Sequence, residues 1–249
     1  MGRRRKEDLT GKPSGVLVID KAQDMTSHDV VAIARGALGI RKIGHCGTLD
    51  PMATGVLMLV VNQATKLQDS LMAQHKEYMG RLTLGIETNS LDADGEVTRE
   101  AEVPALSDEQ IRHAFDQYKG AFEQIPPMVS AIKKDGVPLY KMARRGEEIE
   151  RPPRAVHVYD YQLLRTELPE IDFRVKCSKG FYVRSYVADI GTDLGCGGHL
   201  SALRRLRSGN FDLSRAVTVE QLKAGDRESL YQAMISLEEI AEMQAEETE

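Results

Sequence analysis

Residues 55–61 read GVLMLVV, six apolar side chains after a glycine with no polar position among them. Seven residues make less than two helical turns, and a run this short and uniformly apolar fits a strand covered on both faces. The chain must therefore supply layers on either side of it. Short runs elsewhere provide the material. SGVLVID (14–20) is a second buried strand, and EYMGRLTLG (77–85), AVHVYDYQLLR (155–165) and EIDFRVKCS (170–178) alternate as half-buried strands do. SHDVVAIARGAL (27–38) predicts a helix with Ser27 as N-cap and Val30, Ala34 and Leu38 on one face. LSDEQIRHAFDQYKG (106–120) predicts another, with a Ser107/Gln110 capping box, a stripe of Ile111, Ala114, Phe115 and Tyr118, and Gly120 as its stop.

Val183, Val187, Ile190 and Leu194 give a helix from about Tyr182, and HLSALRRLRSGNF (199–211) reads as a strand or a tight turn into one. DADGEVTRE (92–100) carries the Asp-Gly hairpin signal. TVEQLKAG and RESLYQAMISLEEIAEM each predict a helix near the C-terminus, the second with an acidic outer face. Pro126-Pro127 breaks the chain, and the basic, Gly- and Pro-punctuated stretch 128–154 reads as a long protruding loop with a short helix around Tyr140 to Arg144. Hairpins mixed with helices, without regular βαβ alternation, predict an α+β fold around one mixed, largely antiparallel sheet with flanking helices, not a doubly wound one.

At 249 residues the chain has room for one large domain or two small ones. No run of eighteen apolar residues is present. The start, MGRRRKEDLTGK, is basic with no apolar stretch behind it, so residues 1–12 read as a disordered arm and not a secretory signal. Cys46, Cys177 and Cys196 form no CxxC pair, which fits reduced thiols in the cytoplasm and argues against zinc. The net charge of −5 is uneven: residues 226–249 carry −7, which leaves +2 on the first 225. Three basic clusters stand out. FRVKCSKGFYVRSYVA and HLSALRRLRSGNF contain no acid, and KKDGVPLYKMARRGEEIERPPR has seven bases to four acids. Each alone is compatible with a solvated face. Together, interleaved with tyrosines, they suit a phosphate backbone and stacked bases.

The chemistry concentrates in GHCGTLDPMATGVLMLVV (44–61). Gly44 and Gly47 let the backbone turn sharply. Pro51 biases Asp50 toward extended geometry, so a carboxylate is presented on a stiff loop just before a buried strand. His45 and Thr48 belong to the same loop. Taken alone, an Asp-Pro in a loop is most often a turn whose Asp50 and Thr48 cap backbone amides. No second His or acid stands at metal-ligand spacing, and Cys46 has no base partner by sequence, so one carboxylate must act as nucleophile or as a single acid–base group. An ionised carboxylate in a partly dry pocket needs a cation, and Arg184 in SKGFYVRSY is the candidate, with a surface arginine as the alternative.

These residues resemble the TruB family of pseudouridine synthases. GHCGTLDPMATGVL is similar to that family's G-H-x-G-T-L-D-P-x-A-x-G-V-L loop, and HKEY to its K-x-Y element through Lys76 and Tyr78. LGIETNSLDADG, the stretch QIPPMVSAIKKDGVPLYKMARRGEEIERPPRAV, CSKGFYVRSYVADIG and GGHLSALRRLRSG follow in the family's order, so the resemblance spans about residues 14–216. It departs at KAQDMTS, where Lys21, Thr26 and Ser27 match K-P-x-G-x-T-S but Ala22 and Asp24 replace Pro and Gly.

The resemblance implies an enzyme that isomerises a tRNA uridine to pseudouridine, at T-loop position 55 in bacterial members, after flipping the base out of its loop. Asp50 is implied as nucleophile or stabilising carboxylate. Tyr78 stacks on the base and assists removal of the C5 proton, and Arg184 pairs with Asp50. His45, Tyr182, Leu203, Lys21 and Thr48 are the substrate-binding set. No metal or organic cofactor is implied. The partner is tRNA through its T-stem-loop, with no membrane, no obligatory protein partner and a monomeric chain. The organisation expected is a basic arm (1–12), a catalytic domain (13–216) with a thumb loop at about 126–154, and a short acidic helical tail (217–249) in place of a PUA domain. The alternatives are a non-catalytic tRNA-binding or tRNA-folding module on the same fold, a guide-RNA-dependent synthase, and a small-molecule hydrolase using Asp50.

Overall fold

The computed structural model describes residues 13–128, 133–134, 137–138 and 151–246. The described chain falls into two compact units, the first built from the residues up to Asp50, Gly55–Met72 and Asn210 onward, the second from Pro51–Thr54 and Ala73–Gly209. The fold is of the α+β class, with mixed strand pairing and flanking helices.

In the first unit β1 (Gly15–Lys21) pairs antiparallel with β3 (Thr54–Val61) along its whole length, from Gly15 opposite Val61 to Lys21 opposite Gly55. β2 (Ile43–Cys46) also pairs antiparallel with β3, and α2 (Gln68–Ala73) comes after β3 in the chain. Every residue of β3 after Thr54 is buried, as its apolar run requires. Val16, Val18, Val56, Met58 and Val60 face a core completed by Cys46, Ala64, Leu71, Phe211, Ile235 and Ile240. Fully burying each large aliphatic side chain contributes about 1.5–3 kcal/mol. α1 (Ser27–Leu38) buries Val30, Val31, Ala34 and Leu38. Its N-cap is Thr26, not Ser27: the Thr26 hydroxyl accepts from the Asp29 N–H, and the Asp29 carboxylate accepts from the Thr26 N–H. Thr26 adopts extended geometry and Ser27 is already helical, so the cap falls one residue earlier than the pattern suggests.

After β13 (Phe211–Asp212) the C-terminal segment folds onto β1. β14 (Val217–Thr218) adds to it in parallel at Ile19 and Asp20, and β15 (Ile235–Ser236) antiparallel at Gly15 and Val16. The stretch RESLYQAMISLEEIAEM is two helices, Arg227–Gln232 and Leu237–Glu246, rather than one. The break at 233–236 is where Ile235 joins the core and pairs with Val16. Sheet pairing there overrides helix periodicity.

The second unit carries the strand order β12–β4–β11–β10–β7, antiparallel throughout, with β4 Lys76–Leu84, β7 Gly120–Gln124, β10 Arg154–Glu167, β11 Glu170–Cys177 and β12 Gly198–Ser208. Burial alternates along β4, as the sequence pattern predicts. α3 (Asp108–Asp116) starts at the Ser107/Gln110 capping box. α4 (Val183–Asp193) begins after Tyr182. The rings of Phe115, Phe173 and Tyr186, one each from α3, β11 and α4, pack with centroids 5.6–6.0 Å apart. A Cβ on Gly191 would lie 2.6 Å from the Gly197 backbone, so a glycine lets the end of α4 press against the start of β12.

The Asp-Gly signal at 94–95 lies in a wide connection between β5 (Ile86–Thr88) and β6 (Val97–Glu100), not in a two-residue turn. The left-handed residue there is Leu91, at φ 64°. β8 (Lys133–Lys134) pairs with β9 (Val137–Pro138). The basic arm 1–12, the short helix around Tyr140 to Arg144 and most of the thumb-loop stretch lie outside the described residues.

Candidate functional site

In the first unit the loop between β2 and β3 carries Asp50. Gly47 turns the chain at φ 81°, in the left-handed region that a side chain disfavours. Thr48 is exposed, Leu49 is buried and Asp50 is half-buried. Ser27 holds the loop from α1: its hydroxyl accepts from the Leu49 N–H at 2.9 Å and donates to the Leu49 carbonyl at 3.2 Å. The Gln68 side-chain amide donates to the His45 carbonyl at 3.2 Å. The His45 ring meets His28 edge-on, with centroids 5.2 Å apart.

Lys21, at the end of β1, is wholly buried, and its ammonium donates to the carbonyls of Ala22 and Met25 at 2.8 and 2.7 Å. The loop they close contains Asp24 at φ 62°. The position where the resemblance calls for glycine thus keeps the left-handed backbone with an aspartate, one of the few other residues that tolerates it. Lys21 therefore braces a loop.

In the second unit Tyr78 is 9% exposed on β4, opposite Val175 on β11 and Arg205 on β12. Leu203 stands opposite Gly80, so Tyr78 and Leu203 are diagonal neighbours on one face. Tyr182 is bracketed by Gln124, whose side chain accepts from the Tyr182 N–H at 2.8 Å and donates to its carbonyl at 3.0 Å. Arg184, in the first turn of α4, is 3% exposed, which removes the surface-arginine alternative. It donates to the Ser90 carbonyl at 2.9 Å and forms an ion pair with Asp92 at 3.4 Å. Asp92 also accepts from the Ser90 hydroxyl at 2.5 Å and from the Asp94 N–H at 3.2 Å. A buried guanidinium is thus held by a buried carboxylate that is itself hydrogen-bonded, the arrangement in which a charge survives burial.

The cysteines are buried and form no disulfide, and burial pushes the Cys177 and Cys196 thiols up, away from thiolate chemistry. Among the described residues no group of three or more His, Cys, Asp or Glu is placed to hold a metal ion. None of their helices is long and apolar enough to cross a membrane.

Residues 35–183 match the family model for the TruB family pseudouridylate synthase N-terminal domain, and residues 184–248 match that for the tRNA pseudouridylate synthase B C-terminal domain. The chain belongs to the TruB family. A Syntrophotalea carbinolica protein named tRNA pseudouridine synthase B is 46% identical over 226 residues, covering 91% of this chain and 74% of that one. One of the same name from Opitutus terrae is 50% identical over 210 residues, covering 84% and 87%. Among solved structures, a crystal structure of a Cbf5-Nop10-Gar1 complex aligns with TM-score 0.70 at 30% identity, over 92% of this chain. An archaeal box H/ACA sRNP Nop10-Cbf5 complex aligns with TM-score 0.68 at 26% identity, over 96% of it. The chain spans 62% and 65% of those two solved chains, less than two thirds of either.

Sequence reading of this TruB-family chain missed four contributors. Asp92 was legible: it is an acid inside LGIETNSLDADG, a stretch that carries the resemblance. The sequence pattern marks Ser27 as a helix cap and gives no sign of its contact 22 residues away. Gln68 and Gln124 act on backbone atoms, a role that residue type alone does not signal.

Proposed function

We propose that this chain is a tRNA pseudouridine synthase that converts the T-loop uridine at position 55 to pseudouridine. The observation that carries the reading is the family match over nearly the whole chain, joined to a stiff loop that bears the motif acid. In the reaction the C1′–N1 bond breaks and a C1′–C5 bond forms. The C5 proton leaves and N1 gains one, so substrate and product are isomers.

The roles proposed are those that the family resemblance implies for these positions. Asp50 is the carboxylate that takes part in breaking and remaking the glycosidic bond. Arg184, oriented by Asp92 and Ser90, supplies the positive charge that keeps a carboxylate ionised in a dry site. Tyr78 stacks on the everted base and assists loss of the C5 proton. His45, Tyr182, Leu203, Thr48 and Lys21 form the substrate-binding set, Lys21 through the first loop that it braces. Flipping a base out costs a few kcal/mol, and aromatic stacking returns roughly 1–3 kcal/mol per base. We further propose that the enzyme acts in the cytoplasm as a monomer, without cofactor or obligatory protein partner, and that the 133–154 stretch holds T-stem phosphates by shape. The expected organisation, a catalytic domain at 13–216 and a short acidic tail at 217–249, belongs to the same proposal.

The test is incubation of the purified chain with a T-stem-loop hairpin, read by primer extension after carbodiimide treatment. Pseudouridine at the single T-loop position supports the reading. An unmodified hairpin that nonetheless binds tightly favours the non-catalytic RNA module.

A further inference from the structure

We infer that Ser27 is a positioning residue for the Asp50 carboxylate, an inference that rests on the function proposed above. Leu49, the residue before Asp50, is 3% exposed, so both of its backbone polar groups need partners inside the protein. One side chain supplies them: the Ser27 hydroxyl accepts from the Leu49 N–H at 2.9 Å and donates to the Leu49 carbonyl at 3.2 Å. Fixing N–H and C=O of one residue fixes the rotation about both of its backbone bonds. The second of those bonds sets the direction in which Asp50 leaves the loop.

The hydroxyl is available for this because Thr26 caps the helix. Ser27 is itself 1% exposed and sits at the start of a helix anchored by Val30, Val31, Ala34 and Leu38. The acid-bearing loop is thereby referenced to a rigid element 22 residues upstream, while Gly47 gives it the turn. A serine that only stabilised the fold would be interchangeable in effect with its neighbour Thr26, and the two can be separated.

Ser27→Ala removes both hydrogen bonds. Ser27→Cys keeps nearly the same volume with a weak donor and acceptor, and it carries the test if the alanine variant does not fold. Thr26→Ala breaks the cap at the same helix end without touching Leu49. Single-turnover isomerisation of the T-stem-loop hairpin is measured for each, with hairpin affinity, melting temperature and hydrogen exchange of the segment containing Leu49 and Asp50.

The expected result is a rate lowered on the order of 10- to 100-fold in the Ser27 variants, with affinity within about twofold and faster exchange at Leu49. Thr26→Ala lowers the melting temperature and leaves the rate within about twofold. A folded Ser27 variant with the wild-type rate overturns the inference, and so does a Thr26→Ala enzyme slowed as much as Ser27→Ala. If the wild-type chain itself does not modify the hairpin, the functional reading fails, and exchange alone decides the clamp: equal Leu49 protection in wild type and Ser27→Ala overturns it.

Discussion

The Arg184 guanidinium lies 3.4 Å from the Asp92 carboxylate, and the two side chains are 3% and 6% exposed. Removing the acid leaves a positive charge in the interior without its carboxylate partner, while the Ser90 carbonyl still accepts from it at 2.9 Å. Asp92→Ala should therefore destabilise the protein by about 3–5 kcal/mol, the usual cost of breaking a buried pair on one side. Urea unfolding would show this as a lower midpoint at unchanged slope. A loss under 1 kcal/mol would mean that the guanidinium is adequately solvated or paired without Asp92.

Tyr186 offers the opposite sign. Its ring is fully buried against Phe115, Phe173 and Phe181, and its hydroxyl has no hydrogen-bond partner among the described residues. Burial also pushes its phenol well above the ordinary range. Tyr186→Phe keeps the packing and deletes the unsatisfied group, so it should stabilise by about 1 kcal/mol. Thermal and urea unfolding together check this, and a destabilised variant would reveal a partner for that hydroxyl.

Asp172 sets part of the acid limb of stability. A hydrogen bond from Arg81, opposed by burial and reinforced by Arg165, holds its carboxyl below the usual range. A depressed folded-state pKa contributes stability that is fully present above the unfolded value of about 3.9, and that is lost as pH falls through the folded value. Asp172→Asn should be less stable than wild type at pH 6, and the gap should close progressively below about pH 4. Equal pH profiles for the two proteins would assign the acid limb to other carboxylates.

RNA affinity should depend on salt through the basic stretch. Replacing Lys133, Lys134, Arg144 and Arg145 by alanine should weaken hairpin binding and flatten the slope of log affinity against log salt. The rate of the bound hairpin should change far less. An unchanged slope would place the phosphate contacts elsewhere.

Much of the fold could be read from pattern, because periodicity reports burial directly. β3 was visible as an unbroken apolar run, β4 as alternation, and α3 through its Ser107/Gln110 box. The misreadings share a cause: tertiary contact outweighed local preference. Ile235 pairs with Val16 and interrupts what looked like one C-terminal helix. Leu91, whose carbonyl accepts from the distant Leu200 N–H at 3.1 Å, takes the left-handed geometry between β5 and β6 in place of the Asp-Gly pair. The candidate site follows the same division. The motif named Asp50, Tyr78 and Arg184 by position. What holds the acid-bearing loop (Ser27 on Leu49, Gln68 on His45) uses contacts more than twenty residues apart, which no local window contains.

The most direct measurement is pseudouridine formation by Asp50→Asn on a T-stem-loop hairpin, under single-turnover conditions with enzyme shown to be folded and to bind the hairpin. If the Asp50 carboxylate takes part in the rearrangement, the folded, RNA-binding variant loses activity by roughly 10³-fold or more. A variant that converts the uridine at a rate near wild type would contradict it.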